Sequence, residues 1–93
     1  MKYEIILTSA FKKELKIIKK RSKDLSKLTE VVNKLARGEE LDIKNRDHAL
    51  ANNLRFKNCR ECHIEPDWLL VYRKDDDKLI LFLIETGSHS DLF

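Results

Sequence analysis

Leu79-Ile80-Leu81-Phe82-Leu83-Ile84 is apolar at every position. A strand with one wet face alternates, so this unbroken run predicts a central strand buried on much of both faces. Upstream, the acidic turn Asp75-Asp76-Asp77 separates it from a second β-forming run, Trp68 to Arg73, and Pro66 separates that run from a third, Arg60 to Glu65. Leu54 to Lys57 is a further short strand candidate, with Asn58 in the turn after it, and Tyr3 to Leu7 reads as an opening strand. Between the opening strand and the sheet-rich half, apolar residues switch to helical spacing. Phe11, Leu15 and Ile18 make one stripe behind a cap at Thr8 or Ser9, and Leu28, Val31, Val32 and Leu35 make a second behind Ser22-Lys23-Asp24. Gly38 suits the left-handed residue that ends such a helix. The expected fold is α+β: an N-terminal strand and a helical hairpin packed on one side of a twisted, largely antiparallel sheet, with residues 1–93 as a single domain.

Ninety-three residues bury a modest core, which favours a shallow surface site over a deep cofactor pocket. Residues 1–46 carry thirteen Lys/Arg against seven Asp/Glu, a net of +6, and residues 47–93 carry six against nine, a net of −3. A basic front half suits a polyanionic partner, although ordinary solvated lysine faces give the same count. No signal peptide or membrane-length apolar run is visible, so a cytoplasmic location is expected, with both cysteines as reduced thiols.

Cys59-Arg60-Glu61-Cys62-His63 matches the C-x-x-C-H string of covalent haem attachment. No export signal precedes it, no internal Met offers an axial ligand, and a strand sends Cys59 and Cys62 to opposite faces. The same alternation weakens a zinc site built from Cys59, Cys62 and histidines. No cofactor and no metal is expected. The histidines form the more informative set. His48 lies beside Asp47 in a polar segment running from Glu39 to Asn53, which reads as a long functional loop. His63 lies on a strand, where period two puts Glu61 and Glu65 on its face, with Asp67 just past Pro66, and His89 lies in the polar tail. Such a group suits RNA cleavage: a base takes the proton of a ribose 2′-OH, that oxygen attacks the adjacent phosphate, and an acid protonates the departing 5′ oxygen. Arg46 and Arg60 are candidate cations for the phosphate, though alternation places Arg60 opposite His63. Trp68 and Phe93 are candidate stacking surfaces for bases, with core packing an equal reading of Trp68.

Three stretches carry a family resemblance: Arg60-Glu61-Cys62-His63-Ile64-Glu65-Pro66-Asp67-Trp68 through Tyr72, Asp47-His48-Ala49-Leu50, and Gly87-Ser88-His89-Ser90-Asp91-Leu92-Phe93. In that order and spacing the chain resembles the YafQ-type branch of the RelE/ParE toxin superfamily, over nearly its whole length. The resemblance implies an endoribonuclease toxin acting on messenger RNA in the ribosomal A site, without a metal, and neutralised by a cognate antitoxin. It implies catalytic roles for His48, His63, Asp67 and His89. His89 would be the general acid, His48 or His63 the general base, and Asp67 would orient or tune a histidine. Trp68, Phe93 and Glu61, with Arg46 and Arg60, would position RNA. The family's loop proline and glycine are replaced, by Ala49 and by the Ala51-Asn52-Asn53 stretch, where Asn52 or Asn53 would take the positive-φ turn. Two competing classes are a non-enzymatic, ParE-like gyrase-binding toxin on the same scaffold and a Cys/His metal-binding module. A third possibility is a member with a degraded site that only binds its antitoxin.

Overall fold

The computed structural model describes residues 1–51 and 53–93. β1 (Glu4–Leu7) leads into α1 (Ser9–Lys20) and α2 (Leu25–Ala36); a 3₁₀ turn (Ile43–Asn45) and the short β2 (His48–Ala49) follow. β3 (Arg60–Glu65), β4 (Trp68–Asp75), β5 (Ile80–Gly87) and α3 (His89–Leu92) complete the chain. The sheet order is β1-β5-β4-β3-β2, with β1 parallel to β5 and every other pair antiparallel. The apolar run thus lies between two neighbours from Ile80 onward, as expected of a strand with no free edge, while Leu79 stays in the turn before it with φ 55°.

Local chemistry sets the helix ends. Thr8 accepts the Phe11 amide at 3.0 Å and opens α1; Asp24 accepts the Ser26 amide at 3.0 Å and opens α2. Gly38 takes φ +79° just past α2. Beyond the end of β1, side chains cover the outer edge of β5: the Thr8 hydroxyl donates to the Ile84 carbonyl at 2.6 Å, and Glu14 accepts the Thr86 amide at 3.0 Å.

β4 divides its side chains between two cores. Leu70 and Tyr72 join Cys62, Leu81 and Leu83 beneath Phe11, Ile18 and the apolar stripe of α2. Leu69 and Val71 face the other way and are covered by Phe56, Cys59 and Leu92. The two cysteines therefore sit in separate cores, both free and buried, and burial raises both thiols. A module holding a metal through Cys59, Cys62 and His63 is not what this fold builds.

Three sequence expectations change. Leu54 to Lys57 is turn rather than strand, because the Asn53 side chain accepts the amides of Arg55 and Phe56 and folds the chain over. The long loop from Glu39 is interrupted by the 3₁₀ turn and by β2, and the tail forms the short α3. Glu65 leaves His63's face at a register shift between the two residues and instead binds Lys23 at 3.0 Å and Lys27 at 2.8 Å.

Candidate active site

Pairing brings the histidines together on the face away from the helical hairpin. His48 of β2 is in register with Glu61 of β3, and β3 carries His63 two residues on. The Glu61 carboxylate, only 6% exposed, lies between them, 3.7 Å from Nε2 of His48 and 3.5 Å from Nε2 of His63. The His63 ring, 10% exposed, is 5.6 Å from the His89 ring, centroid to centroid. His89 opens α3, where Ser88 and Asp91 form a capping box.

Each imidazole is fixed through Nδ1. Nδ1 of His48 meets the Arg46 carbonyl at 2.8 Å, and Nδ1 of His63 meets the Pro66 carbonyl at 3.1 Å. A carbonyl only accepts, so in both rings Nδ1 carries hydrogen and Nε2 is left for chemistry. Nδ1 of His89 meets Asp67 Oδ1 at 2.8 Å, and the same oxygen accepts the His89 backbone amide at 2.9 Å. These two bonds, the backbone one first, hold the Asp67 carboxyl below its ordinary range, as an anion. The backbone contributes as well: Arg46 adopts φ 46°, a left-handed conformation unusual for a side chain of its size, and so aims its carbonyl at His48.

The remaining expected residues separate. Phe93 is 55% exposed and edges onto Phe56 with ring centroids 5.6 Å apart, leaving a face for a base. Arg46 is exposed beside the site. Trp68 is 1% exposed, in the helix-side core, and its Nε1 donates to the Thr86 hydroxyl at 3.0 Å; no ring face is free to stack RNA. Arg60 turns to the opposite side of β3 from His63, where it and the Tyr72 hydroxyl both bind Asp47 Oδ1, at 3.3 and 2.5 Å. Arg60 is therefore a structural tie rather than a phosphate ligand. Of the two turn candidates, Asn52 lies outside the described residues, and the Asn53 side chain accepts the Arg55 and Phe56 amides; positive φ is taken at Arg46 and Asn58 on either side of the loop.

Two participants carried little sequence signal. Asn45 is buried, and its Nδ2 donates to the His63 carbonyl at 2.8 Å, bracing β3. Arg55 chelates Glu85 at 2.7 and 2.8 Å, bonds the Leu92 carbonyl at 2.9 Å, and so ties α3 to the sheet.

The helical hairpin packed on a mostly antiparallel sheet is the architecture of the RelE/ParE class of small toxins. A family model described as "Bacterial toxin of type II toxin-antitoxin system, YafQ" matches residues 3–93. The chain is 37% identical over 91 residues to the mRNA interferase toxin YafQ of Escherichia coli (strain B / BL21-DE3), covering 97% of this chain and 95% of that protein. A crystal structure of a metal-bound toxin from Helicobacter pylori superposes with TM-score 0.91 at 44% identity, covering 98% of this chain and 99% of that one. The E. coli DinJ-YafQ complex gives TM-score 0.87 at 34% identity, covering 98% of both chains. The chain belongs to the YafQ family of bacterial toxins.

The metal-bound relative invites a test of fit. Glu61, His63 and His89 offer ligand atoms all within 4.8 Å of one another. Two imidazole nitrogens and one carboxylate oxygen suit a divalent transition ion such as zinc or copper.

Proposed function

We propose that this protein is an endoribonuclease that cuts translated messenger RNA in the ribosomal A site by acid–base catalysis with its own side chains, and that a cognate antitoxin silences it. The observation that carries the reading is the common posture of His48, His63 and His89, each fixed at Nδ1, with Glu61 between the Nε2 atoms of His48 and His63. Nε2 of His48 or His63 takes the 2′-OH proton, and the 2′ oxygen bonds to phosphorus. The bond from phosphorus to the 5′ oxygen breaks, and His89 donates its Nε2 proton to that leaving oxygen. The products are a 2′,3′-cyclic phosphate and a 5′-hydroxyl. The Asp67 anion at Nδ1 orients His89 and stabilises the imidazolium that the acid role requires. Phe93 stacks a base, and Arg46 offsets phosphate charge.

The site is open: the His89 and Asp67 side chains are 55% and 68% exposed. That suits a messenger already held in place by the ribosome. Lys12, Lys13, Lys16, Lys19 and Lys20 are exposed along α1 and supply a basic face for ribosomal RNA. A metal held by Glu61, His63 and His89 would supply a Lewis acid at the same place. The acid–base route instead needs these groups unliganded, so the two readings predict opposite responses to a chelator.

The test uses ribosomes programmed with a short message carrying 2′-deoxyribose at the cut position. Cyclic-phosphate ends from the all-ribose message, persisting with a chelator selective for transition ions that leaves Mg²⁺ in place for the ribosome, with no cleavage of the deoxy message, support the reading. Cleavage of the deoxy message, or loss of activity in that chelator restored by zinc, overturns it.

A further inference from the structure

β5 loses its alternation one residue after Leu83. Tyr72 lies opposite Leu83 but Val71 lies opposite Glu85, so Ile84 is an extra residue, a β-bulge. Leu83 faces the core under the helical hairpin. Strict alternation would put Glu85 on that face too; the bulge turns it to the face of Val71, which packs with Leu92 of α3. Two side chains from the start of α1 hold the distortion. The Thr8 hydroxyl donates to the Ile84 carbonyl, and Glu14 accepts the Thr86 amide. The result is a buried carboxylate beside the last helix. One guanidinium nitrogen of Arg55 donates to both Glu85 oxygens, at 2.7 and 2.8 Å, and the other terminal nitrogen donates to the Leu92 carbonyl at 2.9 Å.

We propose that Arg55 is a positioning residue for cleavage: anchored on the buried Glu85, it fixes the end of α3 and through it the His89 imidazole. The proposal rests on His89 acting as the acid. α3 has four residues, too few to persist alone, so its shape depends on what holds it. The Asp67–His89 and Arg21–Asp91 pairs join half-exposed side chains and are screened by water. Arg55 differs on two counts. Its anchor is a buried charge, which is costly to leave unpaired. It also grips the C-terminal end, where the Phe93 amide donates to the His89 carbonyl at 2.8 Å. Releasing that end lets the turn unwind back to His89. A displacement of about 1 Å at a reacting group can cost ~10²-fold in rate, so partial fraying is enough to be measured.

Arg55→Ala in the full chain is read in two ways. Amide hydrogen exchange followed by NMR should quicken about tenfold at Leu92 and Phe93, whose amides donate to the Ser88 and His89 carbonyls, and stay unchanged at Leu70 and Leu81 in the sheet. Single-turnover cleavage on programmed ribosomes should fall roughly tenfold at saturation, with the half-saturating ribosome concentration unchanged. Glu85→Gln, which keeps the side-chain volume and removes the charge, should give a smaller loss in both. Added to His89→Ala, Arg55→Ala should lower the residual rate by less than about twofold, because a positioning residue acts only through the group it positions. Unchanged exchange in α3, an unchanged rate, or a full further tenfold fall (on the order of the single-variant loss) in the His89→Ala background would overturn the proposal. So would a lower urea midpoint with the folded variant cutting at the wild-type rate, which makes Arg55 a stabilising residue only. The acid–base reading fails separately, if His89→Ala itself cuts as fast as the wild type, since the exchange at Leu92 and Phe93 is read without cleavage.

Discussion

Glu14 makes stability depend on pH. Its side chain is half-buried under the outer edge of β5 and accepts the Thr86 amide. Burial is the leading influence and raises the carboxyl; the Thr86 amide pulls it down, Glu85 pushes it up again, and Arg55 pulls it down, leaving it raised from 4.5 to about 7. Between those values the folded protein holds a proton that the unfolded chain has released. Stability from this group is therefore complete below the unfolded value and is lost as pH rises through the folded one. For an isolated group the difference corresponds to roughly 3 kcal/mol. Solvent screening at a half-exposed position reduces it to about 1–2 kcal/mol. Gln at this position keeps the acceptor for Thr86 and cannot titrate. Urea unfolding of the wild type and Glu14→Gln at about pH 5 and pH 8 isolates the effect, because every other titrating group is common to both. The wild type should lose about 1–2 kcal/mol more than the variant across that interval. Equal losses would refute the reasoning.

The two aromatics assigned to RNA by resemblance should part company. Trp68→Ala empties a core position and removes the Nε1 donor to the Thr86 hydroxyl, which keeps its bond to the Leu69 carbonyl, so chemical denaturation should show a loss of about 3–5 kcal/mol. Phe93→Ala should leave the unfolding curve nearly unchanged and reduce cleavage roughly tenfold through lost stacking. Gly38→Ala forces a side chain into φ +79° with its Cβ 2.9 Å from the flexible Lys2 Cδ, and should cost about 1 kcal/mol, read as a fall of about 4–8 °C in Tm.

The sheet and the helical hairpin were legible because their signals are periodic and long. The apolar run at 79–84, the β-forming runs before it and two helical stripes each agree with a cap or a turn residue. Leu54 to Lys57 misled because a short apolar pattern carries no information about the Asn53 side chain that folds it into a turn. The histidines were legible as a set, but their convergence depends on a two-residue strand, β2, too short to show any period. Period two placed Glu61 correctly beside His63 and failed at Glu65, where one register shift carries the side chain to the other face. The same alternation separates Arg60 and Cys62 from the site and puts the two cysteines in different cores. Asn45 and Arg55 were invisible for a different reason: a buried amide and a surface arginine acquire roles only from partners 18 and 30 residues away.

Primer extension on a translated message, comparing the wild type with His89→Ala in the presence and absence of ribosomes, tests the central claim most directly. The account predicts cuts at defined codon positions that require ribosomes and fall by about 10²–10⁴ in the folded variant, as expected for loss of a general acid. Undiminished cutting by His89→Ala, or no cutting by the folded wild type on any translated message, would contradict it.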